Sequence, residues 1–275
     1  MKLNRVIFPA PISSYELETY PGLLVWIPQP SKTVSPCIPC LFLQQSSGSS
    51  KLLLYFHGNA EDAGTSFELC STLRARLNVH VLVVEYPGYG LHPGKPSERS
   101  ICATADAVVA YLTQEMEWPA EDMIVLGRSI GSGPACYLAA KTRFCCLVLI
   151  SAYTSIKAVV GHVAGKLAQL FVAQRFKNIE AIKSVTCPVF FLHGQRDSLI
   201  PAWHSQELHS KCSSPSHLHL PPAMTHNNFE YLRDLVLPLA AFLTACKIST
   251  KPCESGRALL LLPERLYRPP PGLLD

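Results

Sequence analysis

The sequence has no apolar run of about 18 residues, the length that a membrane-spanning helix needs. Its N-terminal apolar stretch is too short for the core of a signal peptide, and Lys2 excludes N-myristoylation. Lys and Arg form no run, so the net charge of +4 does not indicate nucleic-acid binding. We therefore expect a cytoplasmic protein without a transmembrane segment. The slight excess of positive charge favours only weak peripheral contact with an acidic membrane surface.

The cysteines do not follow the spacing of a metal site or of a disulfide framework. The chain holds 11 of them, and several lie within apolar runs, as small core residues do. The pair Cys37-Ile-Pro-Cys40 has no partner pair at metal-binding spacing. This pattern is typical of a reducing compartment and predicts no metal and no cofactor. A redox or zinc role for Cys37 and Cys40 is the alternative.

The composition allows one large folded domain. Hydrophobic residues make up 48% of the 275 positions, enough for one buried core. Residues 1–247 are expected to form a single domain, and the Pro-rich residues 248–275 a mobile tail with one docked segment around Leu259–Leu262. Prolines divide residues 1–35 into two or three predicted antiparallel strands, in VIFPAP, SYELETY and LLVWIPQP.

From residue 51 onward, apolar stretches alternate with stretches of helical spacing. Strands that are apolar on both faces and alternate with helices indicate an α/β fold, with a mostly parallel central sheet covered by helices. Such sheets bind ligands at the carboxyl ends of their strands, so we expect functional residues at strand-to-helix turns. The predicted strands lie at 51–58, 79–88, 123–129, 145–152, 187–197 and 216–222.

One strand-to-helix turn carries the motif G-x-S-x-G, as Gly127-Arg128-Ser129-Ile130-Gly131. In this motif the serine lies on a strained turn that exposes its hydroxyl above the sheet, and glycines on either side let the chain pass closely. The motif in this context predicts that Ser129 is a nucleophile on the α/β-hydrolase fold.

A serine hydroxyl needs a base to activate it and an acid to orient that base. In this fold the chain order is serine, acid, histidine. Asp197 follows the predicted strand PVFFLHG and His226 follows the predicted strand SHLHL, so both lie at the expected edge of the sheet. We predict the triad Ser129, Asp197 and His226, with His193 as the alternative base.

The same chemistry needs backbone donors for the negatively charged oxygen of the intermediate. One predicted donor is the N–H of Ile130, directly after the nucleophile. The other is the N–H of Asn59, after the strand that ends in His57-Gly58. A simple tight turn at His57-Gly58 is the alternative interpretation, and it is compatible with an oxyanion hole.

The segments FHGNAED, EYPGYG, GRSIGSGPA, CPVFFLHGQRD and THNNF, in this order, resemble the Bem46-like branch of the α/β-hydrolases. That branch includes the α/β-hydrolase domain-containing proteins of types thirteen and seventeen. The resemblance covers about residues 1–245 and implies a serine hydrolase with the triad named above. Relatives usually carry Asp where this sequence has Glu85.

The resemblance also implies a class of substrate, an acyl ester or acyl thioester. Some members of the branch remove palmitate from S-acylated proteins and reach membranes through an acylated N-terminal cysteine cluster. This sequence departs from that pattern, since its first cysteine is Cys37. A lipid or small-molecule carboxylesterase and a non-catalytic scaffold that binds partners through the Pro-rich tail are the alternatives.

Only about 35 residues separate Ser151 from Cys187, which leaves room for a small cover over the site. They contain one amphipathic stretch, for which a core-packing helix is the favoured interpretation. The alternative is that part of its apolar face lines an acyl pocket. The apolar residues are Ile156, Val159, Val160, Val163, Leu167, Leu170, Phe171 and Phe176.

Overall fold

A computed structural model describes residues 7–29, 36–251 and 260–271. Within these ranges the chain forms eight β-strands and seven α-helices. They belong to two compact units, one of residues 1–123 and 250–275 and the other of residues 124–249. No helix in the described ranges combines the length and the hydropathy that crossing a membrane requires.

The first unit holds four strands in the order β1-β2-β4-β3. β1 and β2 pair antiparallel, as do β2 and β4, whereas β3 and β4 pair parallel. The strands are β1 (Leu24–Pro28), β2 (Cys37–Leu43), β3 (Leu52–Phe56) and β4 (His80–Val84), and the helices are α1 (Phe67–Leu77) and α2 (Glu98–Ala110).

The predicted N-terminal antiparallel strands are confirmed, since β1 and β2 pair antiparallel, but their predicted bounds are wrong. Among the described residues of the three predicted segments, only the last segment forms a strand, β1, and the segment SYELETY lies in bends and turns. The Asp62 carboxylate explains this local geometry, because it accepts hydrogen bonds from both the backbone and the hydroxyl of Ser14. Val6 and Pro30, at the limits of the other two predicted segments, lie outside the described residues.

Strand β2 is absent from the sequence prediction. Nearly all of its residues are buried, so it lacks the alternation of polar and apolar residues that marks a half-exposed strand. Cys37 and Cys40 lie in this strand, and burial raises the pKa of both thiols. Since a raised pKa disfavours the thiolate that binds metals and attacks disulfides, the strand supports the structural interpretation of this pair.

The second unit contains four strands that all pair parallel, in the order β5-β6-β7-β8. Parallel pairing and burial of the first three strands match the sequence prediction for this half of the chain. The strands are β5 (Met123–Arg128), β6 (Cys146–Ile150), β7 (Val189–Leu192) and β8 (Ser216–His219); the helices are α3 (Ser132–Ala139), α4 (Ile156–Leu170), α5 (Asn178–Ala181), α6 (Trp203–Lys211) and α7 (Leu237–Ala245).

Helix α4 departs from the favoured prediction that it packs in the core. Ile156 is its one buried residue, and the apolar side chains of its second half are exposed. Gly165 interrupts the helix with a φ of 86°, a conformation that favours glycine. The amphipathic spacing identified the helix correctly, but it did not say whether the apolar face meets the core.

Part of the C-terminal tail packs within the first unit. Leu260, Leu262 and Leu266 are buried, and a short 3₁₀ helix at Glu264–Tyr267 contacts β1. The docked segment is therefore longer than the sequence indicates. Leu259 and residues 272–275 lie outside the described residues, so the single-domain boundary at residue 247 and the mobility of the rest of the tail stay predictions.

Candidate active site

Ser129 lies on a strained turn between β5 and α3. Its φ is 51°, in the left-handed region that a residue with a side chain rarely adopts. The chain crosses itself closely here, because a Cβ atom on Gly127 would lie 2.3 Å from the carbonyl oxygen of Gly131. Glycine at position 127 is therefore a steric requirement of this turn.

Neighbouring side chains hold the turn in place. The Ser132 hydroxyl donates to the Ser129 carbonyl at 2.7 Å, and the Tyr153 hydroxyl donates to the Ile130 carbonyl at 3.2 Å. The Asn178 amide donates to the Ser132 hydroxyl at 3.1 Å. The strained backbone is thus fixed by hydrogen bonds within the second unit, as a strained functional turn requires.

The structure brings the three predicted triad residues together. His226 Nε2 lies 3.1 Å from Ser129 Oγ, and His226 Nδ1 lies 2.7 Å from Asp197 Oδ2. Both distances are hydrogen bonds, so the arrangement fits a neutral imidazole that donates from Nδ1 to the carboxylate and accepts the serine proton at Nε2. All three residues belong to the second unit and follow β5, β7 and β8.

The Asp197 carboxylate is buried and well supplied with donors. Its Oδ1 accepts the backbone N–H groups of Leu199 at 3.0 Å and Ile200 at 2.8 Å. Burial by itself would raise its pKa, but hydrogen bonds from His193, His226 and Ile200 hold the pKa well below the ordinary value. Asp197 is therefore an anion at neutral pH.

His193, the alternative base, is occupied elsewhere. Its Nδ1 lies 2.6 Å from the Ser205 hydroxyl and its Nε2 lies 2.6 Å from the Ile200 carbonyl. The same Nε2 is 3.4 Å from Asp197 Oδ2. These contacts occupy both ring nitrogens of His193 and hold it against the Asp197 loop, whereas the histidine that contacts Ser129 is His226.

Arg128 has a role that the sequence did not reveal. Its guanidinium Nη2 donates to the His226 carbonyl at 3.1 Å and to the Asn227 side-chain oxygen at 3.0 Å. The residue before the nucleophile thereby holds the loop that carries the base. A variable position inside a motif gives no signal of such a contact across 98 residues of chain.

The predicted oxyanion donors lie in different units. Ile130 is buried at the start of the nucleophile turn in the second unit, whereas Asn59 lies in the first. Tight local contacts fix the Asn59 loop, since Gly58 N donates to Glu61 Oε2 at 2.9 Å and the Asn59 side chain bonds Ile7 and Tyr89. The structure has its turn at Asn59-Ala60, directly after the predicted position His57-Gly58. The role of the Asn59 N–H stays a prediction.

Glu85 explains why the motif EYPGYG carries an acid. The buried carboxylate accepts hydrogen bonds from His57 Nε2 at 2.9 Å, Tyr15 OH at 2.8 Å and Ala63 N at 3.0 Å. It thereby ties the loop after β3 to the N-terminal segment. The longer Glu in place of the usual Asp still serves this structural purpose.

In the described residues, no group of three or more His, Cys, Asp or Glu side chains has the arrangement of a metal site.

Comparison with known proteins agrees with the observed fold. The sequence model of a family described as "Serine aminopeptidase, S33" matches residues 48–183. The Pyrococcus furiosus esterase Pf2001 superposes with a TM-score of 0.67 at 16% identity, over 86% of this chain and 96% of that one. At this identity the likeness concerns the fold, and it confirms the predicted α/β-hydrolase fold.

Curated relatives identify the branch. Alpha/beta hydrolase domain-containing protein 17B of Xenopus tropicalis is 31% identical over 207 residues, which cover 75% of this chain and 71% of that protein. Protein bem46 of Schizosaccharomyces pombe is 31% identical over 68% of this chain and 66% of its own length. The chain thus spans about two thirds of these relatives. It belongs to the α/β-hydrolase family, in the branch of the Bem46 and α/β-hydrolase domain-containing 17 proteins.

Proposed function

We propose that this protein is a serine hydrolase that cleaves carboxylic esters or thioesters through an acyl-enzyme. The observation that carries the proposal is the continuous hydrogen-bonded chain from Asp197 through His226 to Ser129, with distances of 2.7 Å and 3.1 Å. A scaffold that only binds partners has no physical need for these two hydrogen bonds together with a strained serine turn.

The reaction follows from this arrangement. Ser129 Oγ attacks the acyl carbon while His226 Nε2 takes the hydroxyl proton, and the Ile130 N–H stabilises the negative oxygen of the tetrahedral intermediate. The bond to the leaving oxygen or sulfur breaks, and His226 returns the proton to that atom. Water then attacks the acyl-enzyme with the same proton transfers, which releases a carboxylic acid and restores Ser129.

Asp197 supports the base in two ways. Its carboxylate fixes the imidazole with Nδ1 protonated, so Nε2 faces the serine as an acceptor. Its lowered pKa means that it is an anion at neutral pH, when His226 takes up the serine proton during the reaction. The charge of the imidazolium in the transition state is therefore compensated inside the protein.

Within this chemistry we propose an S-acylated protein as the substrate, so that the enzyme acts as a palmitoyl-protein hydrolase. The proposal rests on the resemblance to a branch of which some members remove palmitate from cysteines. A lipid or small-molecule carboxylesterase uses the same triad and differs in the leaving group. Assays on substrates with different leaving groups therefore distinguish such an esterase from a palmitoyl-protein hydrolase.

A hydrolysis screen tests both the proposed mechanism and the proposed substrate. Purified protein is assayed on p-nitrophenyl esters and on acyl-cysteine thioesters from short to long acyl chains. Wild type and a Ser210→Ala control, which removes an exposed serine of α6, should hydrolyse at least one series, and Ser129→Ala should not. Equal hydrolysis by Ser129→Ala contradicts the mechanism. Activity on esters alone contradicts the palmitoyl-protein assignment.

A further inference from the structure

Helix α4 presents an apolar surface to solvent. The exposed fractions are 77% for Leu167, 71% for Leu170 and 82% for Phe171. Leu170 and Phe171 follow Leu167 by three and four positions, so each lies on the same side as Leu167 of the helical segment that follows the break at Gly165. Val163, ahead of the break, is 58% exposed. Large apolar side chains grouped in this way mark a surface that meets another apolar phase.

The segment that carries this surface is a closed loop beside the nucleophile. Residues 154–176, here called the α4 loop, are joined at their base by a hydrogen bond from Ile156 N to Arg175 O at 3.1 Å. At its start, Tyr153 bonds the Ile130 carbonyl. At its end, the Phe176 ring packs on Gly133, where a Cβ atom would lie 2.5 Å from the ring. The base of the loop therefore adjoins the turn that carries Ser129.

The stretch of sequence that contains the α4 loop carries only positive charges. From residue 123 to residue 179 the sequence contains seven Lys and Arg residues and neither Asp nor Glu. Seven positive charges against a total of +4 leave the rest of the chain at −3. The α4 loop itself carries Lys157, Lys166 and Arg175, and Lys177 follows it. The α4 loop and the residue that follows it thus carry four positive charges and no negative one.

We propose that the α4 loop docks on an anionic phospholipid bilayer, with Leu167, Leu170 and Phe171 inserted among the acyl chains and Lys157 and Lys166 at the headgroups. A helix with exposed apolar residues and basic neighbours is the arrangement that binds such surfaces. A second copy of this chain is a poorer occupant, because a symmetric contact through this surface would bring the same positive charges together.

This inference goes beyond the proposed hydrolase chemistry, because binding to a bilayer needs neither a substrate nor an intact triad. The two are linked only by position. Since the base of the α4 loop adjoins the Ser129 turn, docking would bring the nucleophile close to acyl chains held at the membrane surface.

Vesicle flotation tests the proposal on the full chain without any turnover. Vesicles of ether-linked phosphatidylcholine, with or without ether-linked phosphatidylserine, cannot be hydrolysed at an ester bond. We expect wild type to bind the phosphatidylserine vesicles at least tenfold more strongly than the neutral ones, and to dissociate in high salt. Absence of binding to the anionic vesicles, or equal binding to both kinds, would overturn the proposal.

Two variants with matched controls locate the surface. Leu167→Gln with Phe171→Gln should lower binding at least tenfold, whereas Ile12→Gln, which removes an apolar side chain that is 96% exposed, should not. Lys157→Glu with Lys166→Glu should also abolish the preference for phosphatidylserine, whereas Lys211→Glu in α6 should retain it. Wild-type binding by either double variant would contradict the assignment.

A spectroscopic probe keeps the test independent of folding defects. In Phe171→Trp, the added fluorescence should shift to shorter wavelength on phosphatidylserine vesicles and be quenched by nitroxide-labelled lipid. Leu237→Trp, at an exposed site of α7, is the control and should show neither change. Analytical sedimentation without vesicles tests whether a second copy of this chain covers the surface instead. The proposal would be overturned if the wild type forms a dimer that Leu167→Gln dissociates and if the Phe171→Trp spectrum does not shift on vesicles.

Discussion

The guanidinium of Arg128 donates a hydrogen bond to the backbone carbonyl of His226 at 3.1 Å. Arg128 precedes the candidate nucleophile and His226 is the candidate base, so one side chain connects the two loops that must meet. The Asn227 side chain accepts from the same nitrogen at 3.0 Å. The alignment of Nε2 with Ser129 Oγ therefore depends on Arg128 as well as on Asp197.

Arg128→Gln should lower kcat by about 10–100-fold with little change in KM, because a misplaced catalytic group costs about that much. Steady-state kinetics on an artificial acyl ester measures the effect. The exposed Arg143 provides the matched control, and Arg143→Gln should leave kcat at the wild-type value. A wild-type kcat for Arg128→Gln would contradict the positioning role.

Asp197→Asn should reduce kcat by about 10⁴-fold while the protein stays folded, because an amide no longer holds the imidazole as the Nδ1–H tautomer. The comparison is best made at saturating ester, with circular dichroism to confirm the fold. Residual activity within tenfold of wild type would show that the contact at 2.7 Å has no catalytic role.

The lowered pKa of Asp197 makes a prediction about stability against pH. A carboxyl with a lowered folded-state pKa stabilises the native protein above its unfolded value of about 4, and this contribution is lost as the pH falls through the folded value. The difference in free energy of unfolding between wild type and Asp197→Asn should therefore be largest above about pH 4, and it should decrease as the pH falls below that value. Urea titrations at several pH values measure that difference, and a constant gap would contradict the assignment.

Gly127→Ala should destabilise the fold by about 1–3 kcal/mol, because the new Cβ would meet a backbone carbonyl that cannot move without breaking the nucleophile turn. Gly161→Ala is the matched control within α4. Its Cβ would meet only the flexible end of the Gln169 side chain, and alanine favours a helix by about 1 kcal/mol. Chemical denaturation should rank the variants in this order, and equal stabilities would contradict the steric account.

Leu266→Ala should lower the free energy of unfolding by about 2–5 kcal/mol, the usual cost of truncating a buried leucine. Leu266 is 1% exposed, whereas Leu261 in the same tail segment is 70% exposed. Leu261→Ala should therefore change stability by less than about 0.5 kcal/mol. Thermal and urea unfolding compare the two, and equal effects would show that the tail segment is not packed in solution.

The geometry of the triad was accessible from the sequence because each of its parts follows a local rule. A G-x-S-x-G turn after a buried strand, and an acid and a histidine after two later strands, reach the same sheet edge in any parallel sheet. Contacts made by single side chains across the fold follow no such rule. The Arg128 contact with the His226 loop is one such contact, and the packing of Leu266 within the first unit is another.

Burial accounts for two of the errors of element interpretation, those at β2 and at α4. Strand β2 is buried along almost its whole length, so its sequence does not alternate between polar and apolar residues and gives no signal of a strand. Helix α4 has clear amphipathic spacing, yet its apolar side chains face solvent, since periodicity reports that a face exists and not what covers it.

The central claim is that Ser129 is an activated nucleophile, and the most direct test is to locate the site of covalent labelling. The protein is treated with a fluorophosphonate probe, digested, and mapped by mass spectrometry. We expect one modified peptide, with the phosphonyl group on Ser129, and no labelling of Ser129→Ala. Labelling of another serine, or undiminished labelling of Ser129→Ala, would contradict the account.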